Sequence, residues 1–173
     1  MAVANRLSNL VTNADAAVQD TPPSLGPVII GGGKLKTQAA TVETAAADDA
    51  GSVYRLFRVH SSWRISRLLV GHDAVTNMST ADIGVYDTAE SGGAVIDVDF
   101  FASAIDISSA SSGLVDRTYE AANTNIANIE QDLYTQLGLT AHKWMDIAVT
   151  ATTNDPTAAA TISAILEYVD ASR

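Results

Sequence analysis

Few residues in this 173-residue chain have the types and spacing that chemistry requires. Gly31-Gly32-Gly33-Lys34-Leu35 has the glycines and lysine of a phosphate loop. The GxxxxGK pattern, however, needs glycine where Val28 stands and a hydroxyl residue where Leu35 stands. It also needs a following helix whose amides hold the phosphate, and the pattern after Lys34 is that of a strand. His60, His72 and His142 are too scattered for a metal site by spacing. Asp97 and Asp99, on one face of a strand, offer the oxygen ligands with which a calcium site starts. The pleat of a half-buried strand produces the same alternation with Ile96, Val98 and Phe100, and we adopt that reading. Serine is abundant, but no nucleophile elbow is present. The absence of cysteine removes thiol nucleophiles, cysteine-based zinc sites and disulfides together. The expectation is a protein that is not an enzyme, with no catalytic residues, cofactor or metal.

Charge narrows the partners. Net charge is −10, whereas a general nucleic-acid binder needs a basic field against phosphate. Residues 52–72 nevertheless hold Arg55, Arg58, Arg64 and Arg67 and no acid, +4, so the remainder sums to −14 (−10 − 4). Two readings follow: ordinary arginines on a solvated strand face, or an interface stripe that meets carboxylates of a neighbouring subunit. No apolar run reaches membrane-spanning length. The first residues, Met1-Ala2-Val3-Ala4-Asn5-Arg6, lack the basic and apolar regions of a signal peptide, so synthesis and use without secretion are expected, in the host cytoplasm.

The elements that would carry these residues fall into two parts. Residues 1–33 read as an N-terminal arm. Residues 1–20 have a weak helical pattern at Leu7, Leu10, Val11 and Ala14, and Thr21-Pro22-Pro23 ends it. Val28, Ile29 and Ile30 form a small apolar anchor among glycines and a proline. Ordering such an arm costs entropy, which docking on a neighbouring chain would offset. From residue 34 to 173 the period is two. Strands are expected at Leu35–Thr44, Val53–Val59, Arg64–Gly71, Ala81–Tyr86, Ala94–Phe101, Trp144–Thr152 and Thr161–Val169. Turn signals divide them at Asp48–Gly51, Ser61-Ser62, Ser91–Gly93 and Asn154–Pro156. Ile126, Ile129, Leu133 and Leu137, followed by Gly138, predict an amphipathic helix over 125–137. The fold class is mainly β: an antiparallel β-sandwich or jelly roll with one short helix and an extended N-terminal arm.

Four stretches carry a family likeness: Gly-Gly-Lys-Leu at 32–35, Ala-Asp-Asp-Ala-Gly-Ser-Val-Tyr-Arg-Leu-Phe-Arg-Val at 47–59, Ala-Asp-Ile-Gly-Val-Tyr-Asp-Thr at 81–88, and Gly-Gly-Ala-Val-Ile-Asp-Val-Asp-Phe-Phe-Ala at 92–102. In these the chain resembles the capsid decoration, or cement, proteins of tailed bacteriophages. The resemblance implies a β-sandwich or jelly roll, often a homotrimer, on the outer capsid surface of the virion. There it would clamp subunits of the major capsid protein, with no role for nucleic acid or membrane. The alternative is a β-sandwich adhesion or carbohydrate-binding module of a head fibre, with an aromatic platform and calcium at Asp97 and Asp99. The interface residues expected from the physical reading are Val28, Ile29, Ile30, Arg55, Arg58, Arg64 and Arg67.

Overall fold

The computed structural model describes residues 5–7, 34–121, 126–129, 131–153 and 158–170. Among them are β1 (Asn5–Leu7), β2 (Leu35–Glu43), β3 (Val53–His60), β4 (Trp63–His72), β5 (Thr80–Asp87), β6 (Val95–Asp106), β7 (Val115–Asp116), a single α-helical turn α1 (Leu133–Gln136), β8 (Trp144–Ala151) and β9 (Thr161–Asp170). Alternation of apolar and polar residues produces the long strands. In β9 Ile162, Ala164, Leu166 and Tyr168 are buried, while Ser163, Ile165, Glu167 and Val169 face the other way. The expected strands are all present, and β1 and β7 are added to them.

The strands form a five-stranded sheet, β1-β3-β8-β5-β6, and a four-stranded sheet, β2-β9-β4-β7. Apart from the parallel β1–β3 pair, every pairing is antiparallel. Counted from β2, the four-stranded sheet runs first, eighth, third, sixth, and its partner second, seventh, fourth, fifth. That is the strand order of a jelly roll, two Greek keys closed face to face. Tyr54, Phe57, Ile83, Val85, Ile147 and Val149 from one sheet meet Ile65, Leu68, Ile162 and Leu166 from the other in one core. Each fully buried large aliphatic there stabilises the fold by about 1.5–3 kcal/mol.

Two expectations are corrected. Asn5–Leu7 is not helical. It adds to the edge of its own five-stranded sheet, with Asn5, Arg6 and Leu7 opposite Val53, Tyr54 and Arg55. The rest of the N-terminal segment, including Val28, Ile29 and Ile30, lies outside the described residues, as does the Asn154–Pro156 turn. The helix over 125–137 also breaks up. Among the described residues of that range only a 3-10 turn at Ile126–Asn128 and the single turn α1 form. The cause is Asp132, which takes an extended backbone and accepts the Thr135 N–H as an N-cap. Its short polar side chain competes with helix continuation. Gly138 does end α1 as the sequence implies. It has φ +59, and the Leu139 N–H donates to the Tyr134 carbonyl, closing a Schellman turn.

Candidate interaction surfaces

The four arginines do not form one stripe. Ser61-Ser62 carries the chain from β3 in one sheet to β4 in the other, so the two pairs lie on opposite outer faces of the sandwich. Within each pair a bulge matters. The register breaks between Arg55 and Phe57, and again between Ile65 and Arg67. Residues three apart would normally point to opposite faces of a strand. One extra residue restores them to the same face.

Arg55 and Arg58 find their carboxylate within the chain. Arg55 and Asp146 pair at 3.0 Å with side chains 1% and 0% exposed. Arg58 donates from Nε to the same carboxylate, also at 3.0 Å. The Arg55 guanidinium also donates to the carbonyls of Asp87 at 2.7 Å and Gly93 at 3.2 Å. Arg55 thus holds both ends of the β5–β6 connection, while Glu90 within that connection reaches Arg58 at 3.6 Å. The guanidinium also lies 5.5 Å from the centre of the Tyr86 ring. The Tyr86 hydroxyl pairs with that of Thr150, and burial pushes it above its ordinary pKa. Ala148 and Tyr86 are as buried as the core, yet sit outside the core cluster. Their face is roofed. At Gly84 an added Cβ would lie 2.2 Å from the carbonyl oxygens of both Asp97 and Val98, because β6 crosses there. This outer face is closed by its own chain.

The outer face of the four-stranded sheet is different. Leu35 and Val169, Ala39 and Ile165, and Leu69 lie on it in register. Leu35 is 57% exposed and Leu114 43%. Ala39, Thr41, Leu114, Ser163 and Ile165 line a shallow groove. Arg67 spans to Asp116 at 3.2 Å in an exposed pair. Burial pushes the Asp116 carboxyl up, but hydrogen bonds from Thr118 and Arg67 outweigh it and hold the pKa below the usual value. Among the described residues Arg64 has no carboxylate partner, and its buried Nε donates to nothing.

One cluster escaped the sequence reading. Tyr134, His142, His60, Trp144, Trp63 and Tyr168 form a continuous row of rings with successive centroids 4.2–5.9 Å apart. Trp63 and Tyr168 are buried, and the row surfaces at Trp144. Its members come from residues 60 to 168, so no local spacing announces it. Burial, and then the charge of His142, hold His60 below its ordinary pKa, with Asp170 opposing. His142 Nδ1 lies 3.1 Å from the Ser61 hydroxyl. That Ser–His pair fastens a turn: Ser61 is fully buried and its oxygen accepts the Lys143 N–H. Asp97 and Asp99 are half-buried, and the Asp99 N–H donates to Asp97. Among the described residues no three His, Asp or Glu side chains are grouped to hold a metal ion.

No protein-family model matches this chain, and no curated protein does. Solved structures do resemble it. A chain of the capsid of Ralstonia phage GP4 superposes with a TM-score of 0.63 at 16% identity, over 98% of this chain and 100% of that one. A chain of the capsid asymmetric unit of cyanophage Pam1 gives a TM-score of 0.44 at 12% identity, over 87% and 97%. At 16% identity the likeness to the GP4 capsid chain is one of fold, and it runs through almost the whole of both chains.

Proposed function

We propose that this chain is a non-enzymatic decoration (cement) protein of a tailed-phage head. In this reading it forms a homotrimer on the outer capsid surface and clamps neighbouring major capsid subunits. The observation that carries the reading is the end-to-end likeness to a chain of the Ralstonia phage GP4 capsid, with nothing large left over on either side. The four sequence stretches given above agree with it. A packaged genome pushes outward on a shell with seams, and a trimer attached at several points multiplies modest contacts into firm binding. Arg64 and the small, apolar outer face of the four-stranded sheet are the surfaces we assign to partners. Val28, Ile29 and Ile30 would anchor the N-terminal segment on a neighbouring chain. An adhesion role would instead have to rest on Trp144, the 41% exposed end of the aromatic row.

The test is attachment. Purified protein is mixed with expanded empty heads of the phage that encodes it, and the pelleted heads are assayed for bound chain and for rupture temperature. Stoichiometric binding with a raised rupture temperature is expected. Arg64→Ala should reduce binding while leaving the unfolding free energy within about 0.5 kcal/mol, the ordinary range for a surface change. Heads that bind no protein in either the compact or the expanded form refute the reading.

A further inference from the structure

The two sheets end in four edge strands, and three are protected against pairing with other chains. β1 has three residues and β7 two. β6 is long, but its register with β5 breaks at three points, and Ala104 within it has φ +52. Shortness, bulges and kinks are the devices by which sheets avoid edge-to-edge association. β2 has none of them. Its nine residues pair with β9 without a break, from Leu35 opposite Val169 to Glu43 opposite Thr161. It contains no proline or glycine, and Leu35, Thr37, Ala39, Thr41 and Glu43 are exposed. Among the described residues β9 is its one strand partner, so the opposite row of backbone N–H and C=O groups has no ladder.

We propose that a second copy of this chain docks on this edge, β2 against β2, continuing the four-stranded sheet across a twofold axis. A twofold axis at an edge makes the two strands antiparallel. The charges fit that direction. Lys34 stands at one end of the strand and Glu43 at the other, both exposed and neither in an ion pair among the described residues. Lys36 is occupied by Asp170 at 2.9 Å. From Thr37 to Val42 the strand is uncharged. Pairing about Ala39 sets Leu35 opposite Glu43 on the outer face, and Lys34, which precedes the strand and is not held to its pleat, lies diagonally across from Glu43 of the other copy and within reach of it round the strand end, twice by symmetry. It also covers Leu35. The contact is separate from the capsid reading: it doubles whatever unit the other surfaces build. An edge of this length belongs with weak, transient interfaces.

Sedimentation velocity over a wide range of protein concentration should reveal a unit that doubles. Glu43→Lys or Lys34→Glu alone should weaken the doubling about tenfold, roughly 1.4 kcal/mol, and the double variant should restore it. Because the natural chain has no cysteine, Ala39→Cys gives a clean cross-link. Facing residues of an antiparallel pair lie about 4.5–5.5 Å apart at Cα, within the span of a disulfide. Ala39→Cys should therefore oxidise to a dimer faster than Ser112→Cys in an exposed loop, with Thr37→Cys and Thr41→Cys reporting a twofold axis displaced by two residues along the strand. The proposal fails if no doubling occurs, or if both charge reversals leave it unchanged. It also fails if none of the three β2 cysteines links faster than the loop control. Doubling that vanishes on removal of residues 1–33 yet ignores Glu43→Lys would assign the contact to the N-terminal segment and overturn it as well.

Discussion

Asp146→Ala is the most severe single test of how the outer face of the five-stranded sheet is built. The carboxylate is fully buried and neutralises two guanidiniums, Arg55 at 3.0 Å and Arg58 at 3.0 Å, themselves 1% and 8% exposed. Among the described residues, removing it leaves the buried Arg55 without a carboxylate partner and Arg58 with only the partly exposed Glu90. Breaking a buried pair in this way costs about 3–5 kcal/mol. Partial compensation exists. Arg55 keeps the Asp87 and Gly93 carbonyls, and Arg58 keeps the partly exposed Glu90. For a chain of this length each kcal/mol moves the melting temperature by about 2–4 °C, so a fall of about 6–20 °C is expected. Urea unfolding should show a lowered midpoint with the slope unchanged. Asp146→Asn, which keeps the shape and one acceptor, should fall between. A double-mutant cycle of Asp146→Ala with Arg55→Ala should show strong coupling, because the second change removes the stranded charge. A loss below about 1 kcal/mol for Asp146→Ala, the worth of an exposed pair, would refute the description of this network as buried and mutually dependent.

Two further outcomes follow from the same geometry. Gly84→Ala forces a Cβ against two carbonyl oxygens at 2.2 Å. It should cost at least the upper end of the usual overpacking range of about 1–3 kcal/mol and lower the soluble yield, whereas Gly92→Ala, in open space but at φ +92, should cost only about 1–2 kcal/mol of backbone strain; equal effects would show that β6 does not press on Gly84. Because His60 titrates below its ordinary value when folded, the unfolded chain takes up that proton first as pH falls below about 6.5. Stability should be full above that pH, decline as pH falls towards the folded pKa, and level off below it. Thermal melts of His60→Asn should lack that decline, and His142→Asn should reduce it; an unchanged acid slope in both variants would remove the histidine pair as its source.

Strand patterning was legible because period two survives in the sequence wherever one face is buried. Ile162 to Tyr168 is the clearest case, and its inward residues are all within 5% of full burial. What local pattern could not supply was the position of the bulges and the sheet to which each strand belongs. Nothing around Leu56 or Ser66 signals an extra residue, yet those two insertions decide the faces on which Arg58 and Arg67 emerge. Phe100 and Phe101, adjacent and both buried, mark a similar break in β6. Asp146, the anchor of the arginine network, lies 91 residues from Arg55 and inside an otherwise apolar run. The aromatic row joins residues brought together only by the jelly-roll order. The helix over 125–137 had the right apolar spacing, and a single cap at Asp132 outweighed it. Ile126 is consequently 61% exposed while Leu133 is fully buried.

The distribution of unsatisfied groups now separates the two faces. On the five-stranded sheet the chain folds back on itself: the β5–β6 connection is held by Arg55, the β6 backbone presses on Gly84, and Asp146 absorbs both arginines. A surface whose charges are already matched in place has little to offer a partner, since any new contact would first have to break an existing one. The four-stranded sheet is the reverse. It keeps Arg64, which has no carboxylate partner among the described residues, exposed Leu35 and Leu114, and small residues between them that let another surface approach closely. Its edge strand β2 is also the least protected among the described strands. Net charge of −10 repels copies from one another over long range, so association at this face requires local charge complementarity of the kind Lys34, Arg64 and Glu43 supply. High salt should therefore act in two opposed ways, screening the general repulsion while weakening the specific pairs. The pairs are few and exposed, and the repulsion involves the whole chain, so moderate salt should favour association of the natural protein and act more strongly still on Glu43→Gln, in which the attractive contribution is already gone.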